Sequence, residues 1–490
     1  MTVRRTLTAA AWSFAANWGQ QLASTAIFFY LAYRLGPSDF GVVAMAAAVV
    51  DLLTQLARFG QVEALLQGGD DTDSKDINTS YWFLIAVGVV LGLVILLLSQ
   101  FAEALYEDSR IPLILLLLAP IPLIQNLTLT HEYLLRREMA FKGIAVRNVS
   151  ATMISGVVTV ALAFTGFGYF ALVAQKLLFT IVNSLALGIY RKWWPELVFD
   201  TGRMRMLVAA GFNVSLSNLT VLANTRIIDL FVGHYFGFAV LGNLRIAWRL
   251  FDLMLQFTLQ PLASVALSAF TENRASRESI AGQFIGYAGA LALIGYPVFA
   301  GMLMISSDAV ELMFGTRWQL AGNMLLVLCL SFTVLPVNYL FPATMLAVQR
   351  TDTLRRQALA QFLFTLCTVA VSAQFSIEAV LTVHVLRVYI FAAYNFVAVR
   401  NAVGVSSMQV ASVLLGPLVS VLGLAGVILA FRHLAPGTDG TLRLIIEVFL
   451  GGVVFVFIAL AGEFSGLFKP CAKPFVSMML RKIRKVRHAE

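Results

Sequence analysis

The chain has 490 residues, 59% of them hydrophobic and only 12% charged, with a mean hydropathy of +0.83 and a formal net charge of +9. Soluble globular chains carry about 25% charged residues, so this composition argues against a soluble protein and for one that lives in a bilayer. The positive excess is not read as a nucleic-acid signature: much of it sits in the tail KPCAKPFVSMMLRKIRKVRHAE, which suits anionic lipid headgroups.

A helix needs about 20 apolar residues to cross ~30 Å of hydrocarbon. In chain order such runs occur at 11–33, 40–66, 80–102, 111–134, 142–165, 167–190, 204–232, 238–266, 281–306, 319–347, 354–375, 377–400, 409–432 and 441–461. These fourteen runs predict an all-α polytopic membrane protein. A membrane β-barrel would alternate polar and apolar residues, and YWFLIAVGVVLGLVILLL (Tyr81 to Leu98) does not. The N-terminus MTVRRTLTAAAWSF is basic and then apolar like a signal peptide. Its apolar part continues to Tyr33 with no small-residue cleavage site, so it reads as the first span. Cys329, Cys367 and Cys471 form no CxxC and no disulfide framework.

Lys and Arg near span ends set orientation. One set of loops carries Arg4, Arg5, Lys75, Arg136, Arg137, Lys142, Arg191, Lys192, Arg203, Arg205, Arg274, Arg277, Arg350, Arg355, Arg356 and the tail cluster. The other carries only Arg34, Arg110, Arg317, Arg432 and Arg443. Both termini are therefore expected in the cytoplasm. No outward loop is long, which leaves little room for the catalytic acids of a membrane transferase or polymerase.

The chain repeats itself at an offset of 201. RLGPSDFG (Arg34 to Gly41) returns as YFGFAVLG (Tyr235 to Gly242), with Gly36 on Gly237 and Gly41 on Gly242. Without a gap, Asn17, Ile27, Ala46, Asp51, Leu52 and Gln55 fall on Asn218, Ile228, Ala247, Asp252, Leu253 and Gln256. A weaker echo sets Ala102, Leu105 and Arg110 against Ala309, Leu312 and Arg317. Six spans separate the copies, so both enter the membrane in the same direction. The expected organisation is an N-lobe at 1–200, a C-lobe at 201–403, two further helices at 404–465 and a basic tail at 466–490. Parallel repeats of this kind build secondary transporters, with the substrate near mid-membrane. In the turn itself, Gly36-Pro37 suits a tight reversal, Ser38 or Asp39 is expected to cap the next helix, and Gly41 to let it pack closely.

Ionisable groups within spans are costly and are functional candidates by default. The second span carries Asp51, Gln55 and Arg58 on one helix face, and the eighth carries Arg245, Arg249, Asp252 and Gln256 on one face. The seventh adds Arg226 and Asp229, the sixth Lys176 with Thr180 and Asn183, and the twelfth His384 and Arg387. Each has a structural reading too. Arg58 and Glu63 can snorkel to the interface, Arg226–Asp229 and Arg249–Asp252 can be plain ion pairs, and His384 is more often a packed polar residue than a proton relay. Cations outnumber carboxylates in this set, which favours an anionic ligand such as a diphosphate. The expected substrate-binding residues are thus Lys176, Arg226, Arg245, Arg249, Arg387 and Arg58, with Asp51, Asp229 and Asp252 for charge balance or ion coupling. There is no phosphate-binding GxxxxGK[ST] loop, no HExxH, no metal-spaced Cys/His set and no GxSxG with a credible triad. No cofactor, metal or enzymatic activity is expected.

RLGPSDFGVVAMAAAVVDLLTQLARFGQVEALLQ, HEYLLRREMAFKGIAVRNV, GFGYFALVAQKLL and WWPELVFD resemble the Wzx-type polysaccharide flippases of the multidrug/oligosaccharidyl-lipid/polysaccharide (MOP) exporter superfamily. RIIDLFVGHYFGFAVLGNLRIAWRLFDLMLQFTLQP resembles the second-lobe opening of the exopolysaccharide, succinoglycan-type branch. The resemblance covers most of the chain to about residue 400. It implies two six-helix lobes around a central cavity, working by alternating access in the bacterial inner membrane. It implies as substrate an undecaprenyl-diphosphate-linked oligosaccharide moved to the periplasmic leaflet, for exopolysaccharide or O-antigen (lipopolysaccharide) export. Its partners would be membrane lipids and the polysaccharide polymerase and export machinery. Relatives often carry an acidic residue near the Arg58 position; this chain has arginine there. The competing readings are a drug/cation antiporter of the same superfamily, a peptidoglycan-precursor flippase, and a membrane glycosyltransferase or polymerase.

Overall fold

A computed structural model describes residues 3–67, 72–138, 140–190, 192–272, 276–437 and 440–468. Most of the basic tail with Cys471, and the loop residues Arg191 and Arg274, lie outside the described residues. Among the described residues all regular structure is helical. The chain divides into two compact units, Met1–Gly242 and Asn243–Glu490.

The first unit contains α1 (Val3–Arg34), α2 (Pro37–Ala57), α3 (Gln61–Gln67), α4 (Ser74–Tyr106), α5 (Arg110–Leu118), α6 (Ile121–Arg137), α7 (Phe141–Phe164), α8 (Tyr169–Tyr190) and the first part of α9 (Thr201–Glu272). The second holds the rest of α9, then α10 (Arg277–Phe314), α11 (Gln319–Cys329), α12 (Leu335–Ala347), α13 (Thr351–Ser372), α14 (Ile377–Val403), α15 (Ser407–Leu434) and α16 (Gly440–Phe464). Eleven helical stretches among the described residues are long and apolar enough to cross a membrane. The expected fourteen spans are not confirmed by that measure. The seventh and eighth run together within α9, and α1 and α13 are not among the eleven.

Three expected spans arrive as broken helices. The run 40–66 is interrupted after α2, where Phe59 (φ 44°) and Gly60 (φ 62°) take left-handed backbone. The run 111–134 breaks at Ala119–Pro120, where proline removes a helix donor and crowds the preceding turn. The run 319–347 passes through a 3-10 segment at Leu330–Val334 before Pro336. Apolar length alone does not reveal these breaks, because the interrupting residues barely lower the hydropathy.

The repeat is visible in the backbone. Gly36 precedes α2 with φ −87° and ψ 165°, and Gly237 interrupts α9 with φ 80° and ψ 174°. Both glycines thus place an extended ψ between a first and a second helix. Pro37 opens α2 at a position where its missing N–H is harmless. Ser38 and Asp39 do not cap the helix, contrary to expectation. Instead both face Arg110, whose Nη2 donates to Ser38 Oγ at 2.8 Å and whose Nη1 lies 3.6 Å from Asp39. Arg110 also binds Asp108 in the α4–α5 turn, and that hydrogen bond holds the Asp108 carboxyl below the usual carboxylate range.

Gly41 packs as expected. A Cβ there would sit 1.7 Å from the Phe238 carbonyl oxygen, and a Cβ on Gly242 would sit 1.9 Å from that of Pro37. These contacts exchange under the repeat: position 41 corresponds to 242 and position 37 to 238. The two second-helix starts cross backbone to backbone. Around them lies an apolar core including Val42, Val50, Ile95, Ile114 and Leu118, with Phe238 packed on it.

The second unit has its own anchor. Glu447, with its side chain 0% exposed, accepts from Arg432 Nε at 2.8 Å and from Arg443 Nε at 3.2 Å. Asp308 accepts from the same two arginines at 3.2 and 2.6 Å. This four-residue network ties α15 and α16 to α10 above a core of Tyr296, Val421, Leu424, Ile428 and Phe455.

Three stability effects follow. Gly41→Ala should lower stability by about 1–3 kcal/mol, the range for overpacking a tight contact. Gly19→Ala, where nothing lies within 4 Å of the added carbon, should leave the detergent melting temperature unchanged or raised. Glu447→Gln should destabilise by about 2–4 kcal/mol, because it strips the central carboxylate from two arginines; the detergent melting temperature again reads it.

Candidate functional site in the first unit

Asp51 lies on α2, between a close approach of the start of α2 to α9 and a second approach just beyond the α2 C-terminus. At one end stands the Gly41–Phe238 contact. At the other, a Cβ on Gly60 would meet the Gly211 carbonyl oxygen at 2.2 Å. The positive φ of Gly60 and the missing side chain of Gly211 together allow this approach. Between these ends α8 and α9 deliver cations to one carboxylate. Lys176 Nζ donates to Asp51 Oδ1, and Arg226 Nη2 donates to Asp51 Oδ2 at 2.6 Å. Arg226 Nη1 also donates to Asp229 at 3.3 Å, and the Asp229 side chain is 1% exposed. Two cations and two carboxylates therefore balance within the cluster. Lys176, which has no carboxylate near it in sequence, finds one through tertiary packing.

At the C-cap of α2, Arg58 faces a polar cavity of about 220 Å³. Arg58 Nη2 donates to the neutral amide oxygen of Gln125 on α6 at 3.1 Å. Glu132 accepts from Arg136 at 2.6 Å and from Arg147 at 3.2 Å. Asn148 Oδ1 accepts from Arg147 Nε at 3.0 Å and from Asn183 Nδ2 at 3.2 Å. The sequence reading placed Arg58 and Asn183 but passed over Gln125, Glu132, Arg147 and Asn148. The signal was present: Glu132 and Arg147 both fall inside expected spans, where an ionisable residue is a functional candidate.

The remaining sequence candidates belong to the second unit. Arg245 and Arg249 are half-buried on α9 and Asp252 is exposed, within electrostatic reach of both. Arg387 Nη1 donates to Thr365 Oγ1 at 2.9 Å, and its Nη2 lies 3.2 Å from His384 Nδ1. The His384 ring packs edge-on against Trp248 with centroids 4.8 Å apart, the arrangement of a packed polar residue. The structure thus joins Asp51, Lys176, Arg226 and Asp229 in one cluster and puts Arg58 in a neighbouring cavity. It groups Arg245, Arg249 and Asp252 on one helix, and places Arg387 beside His384. Among the described residues no group of three or more His, Cys, Asp or Glu is arranged to hold a metal ion.

The connection from α8 to α9 is pinned to α4. Asp200 accepts from the backbone N–H groups of Arg203 and Gly202 at 3.1 and 2.8 Å, which holds its carboxyl below the usual range. Arg203 reaches back to Asp76 at 2.9 Å, and Trp82 Nε1 donates to the Glu196 carbonyl at 2.8 Å.

The sequence profile of the family described as "Polysaccharide biosynthesis protein" matches residues 30–322, more than half of the chain. The chain belongs to this family. The matched stretch runs from before RLGPSDFG to beyond the second-lobe opening and contains every residue of the Asp51 cluster. Two curated relatives are similar. The teichuronic acid biosynthesis protein TuaB of Bacillus subtilis is 24% identical over 270 residues, 54% of this chain and 56% of its own length. The succinoglycan biosynthesis transport protein ExoT of Rhizobium meliloti is 24% identical over 306 residues, 62% of each chain. The similarity therefore spans less than two thirds of either relative's length. Among solved structures, the lipid II flippase MurJ in an inward closed conformation superposes with a TM-score of 0.71 at 13% identity. That superposition covers 94% of this chain and 100% of MurJ, and it shows a shared fold.

Asp51→Asn should lower stability by about 2 kcal/mol, the scale for leaving charged partners of a part-buried carboxylate uncompensated. Adding Lys176→Met should restore part of that loss, because Asp229 still serves Arg226. A double-mutant cycle read by detergent melting checks the coupling, and simple additivity would show that the two groups do not act together.

Proposed function

We propose that this membrane protein of the polysaccharide biosynthesis family is a flippase for an undecaprenyl-diphosphate-linked oligosaccharide. It moves the sugar from the cytoplasmic to the periplasmic leaflet by alternating access, without chemical change to the sugar. The observation that carries this reading is the Asp51 cluster: four charged side chains from three helices meet inside apolar spans, where such groups mark substrate and ion pathways. The words "biosynthesis transport protein" attached to ExoT support the same cargo class. The N-lobe at 1–200 and the C-lobe at 201–403 are the parallel repeats that alternate, and both termini face the cytoplasm of a bacterial inner membrane.

In this reading Lys176 and Arg226 bind the diphosphate by exchanging Asp51 for phosphate oxygens, a swap between two charge-assisted partners. The released carboxylate is then the group that takes up a proton or cation, which couples the transport step to a gradient. Arg58, Arg245, Arg249 and Arg387 supply further positive charge for diphosphate or acidic sugars, and Asp229 and Asp252 balance it. The excess of cations over carboxylates opposes a drug/cation antiporter.

Inverted membrane vesicles carrying a labelled lipid-diphosphate oligosaccharide on the exposed leaflet test this. Expected is entry of the unchanged sugar into the lumen, faster under an imposed proton or sodium gradient. A lengthened or transferred sugar without entry would make the protein an enzyme instead. Arg249→Ala should abolish entry at an unchanged protein level, and normal entry would remove Arg249 from the substrate path.

A further inference from the structure

A second cavity of the first unit is of a different kind. It is an open groove of about 940 Å³ between α6 and α8, floored by apolar side chains such as Leu127 and Leu185 and closed at one end by the α8–α9 connection with Trp193 and Trp194. Leu185 and Ile189 are 60% and 74% exposed along it, and Trp194 is 86% exposed at its end. The aromatic end is built rather than incidental. Trp193 stacks edge-on against both Tyr81 and His131 at 5.5 Å, and the connection behind it is held by the Trp82 and Arg203 hydrogen bonds. Trp and Tyr are enriched where a protein meets the membrane–water interface.

The groove and the polar Arg58 cavity share two wall residues, Thr128 and Ser184. Thr128 Oγ1 donates to Ser184 Oγ at 3.2 Å, and Ser184 Oγ donates to the Ile124 carbonyl at 3.0 Å. A single hydroxyl pair bridging α6 and α8 therefore borders an open, apolar groove on one side. On its other side is a polar cavity whose Arg58 is bonded to a neutral amide. An apolar channel beside a cationic pocket matches one ligand shape: a long hydrocarbon chain ending in an anionic headgroup.

We propose that α6 and α8 form a lateral loading site for a polyprenyl diphosphate. The chain lies in the Trp193–Leu185 groove, the diphosphate sits against Arg58, and Thr128–Ser184 is the threshold between them. This deepens the flippase reading and rests on it for the identity of the lipid. The volume is at the upper end for a small-molecule pocket, enough for part of a polyprenyl chain, with the remainder in the bilayer. The Lys and Arg distribution puts this end of α6 and α8 at the cytoplasmic leaflet, where the substrate starts. The charge argues for a diphosphate over an uncharged polyprenol.

The test uses the full chain in phosphatidylcholine nanodiscs with three photoreactive probes: a benzophenone-tagged polyprenyl diphosphate, the matching polyprenol, and a tagged phosphatidylglycerol. Expected is labelling of α6, α8 and the Trp193–Trp194 segment by the diphosphate probe, competed by unlabelled polyprenyl diphosphate and not by phosphatidylglycerol. Arg58→Gln should cut that labelling at least about tenfold, the effect of losing one charge-assisted contact. Leu185→Trp, which fills the exposed groove without touching the cavity, should cut it similarly while the melting temperature stays unchanged. Equal labelling by phosphatidylglycerol or by the polyprenol, labelling on other helices, or labelling indifferent to both variants would overturn the site. The vesicle assay separates this outcome from failure of the flippase reading. Normal sugar entry by Leu185→Trp removes the site and leaves the flippase. Groove labelling of the wild type without any sugar entry keeps the site and removes the flippase.

Discussion

The arrangement in the first unit depends on one half-buried carboxylate being satisfied within apolar spans. Asp51 sits half-buried on α2 within an apolar span, where an unpaired charge is costly. Lys176 from α8 and Arg226 from α9 remove that penalty, and Asp229 takes the second edge of the guanidinium. Because each partner comes from a different helix, the charge requirement is also a positional requirement: α2, α8 and α9 must lie within one side-chain length of a common point. A neutral, mutually bonded cluster is stable at rest, yet its cations can be surrendered to a better anion.

Close backbone contact makes this geometry possible. Gly41 against Phe238, and Gly60 in the turn after α2 against Gly211, bring this stretch of chain and α9 together nearer than any side chain would permit. Without a hydrophobic driving force between helices in lipid, such small-residue contacts are the means of close association. The pairing of Gly41 with Phe238 and of Gly242 with Pro37 shows the repeat acting as symmetry, since each contact is the image of the other. The proline of the first copy is replaced by phenylalanine in the second, so the close approach itself requires only the glycines.

The fold was largely legible from the chain, and the site only in part. Apolar length found the helices but missed the breaks at Gly60, Pro120 and Leu330–Val334, since helix continuity depends on individual φ/ψ values rather than on mean hydropathy. The rule that charges inside spans are functional candidates found Asp51, Lys176, Arg226 and Asp229. Applied evenly, it would also have found Glu132, Arg147 and Glu447. It could not have said that Lys176 and Arg226 share one carboxylate, or that Ser38 serves Arg110 instead of capping α2.

By itself the sequence determined that the protein is helical and membrane-embedded, that the stretch around Gly36 and Gly41 recurs at an offset of 201, and that cations exceed carboxylates among the groups proposed to meet the substrate. These are properties of composition, spacing and offset, and they hold whatever the helices touch. Tertiary structure alone decided which charges meet, which cavity Arg58 faces and where the apolar groove runs beside it. Those relations join residues such as Asp51 and Arg226, or Thr128 and Ser184, across long stretches of chain. Helix periodicity fixes the face on which a residue lies, but only packing fixes what that face opposes.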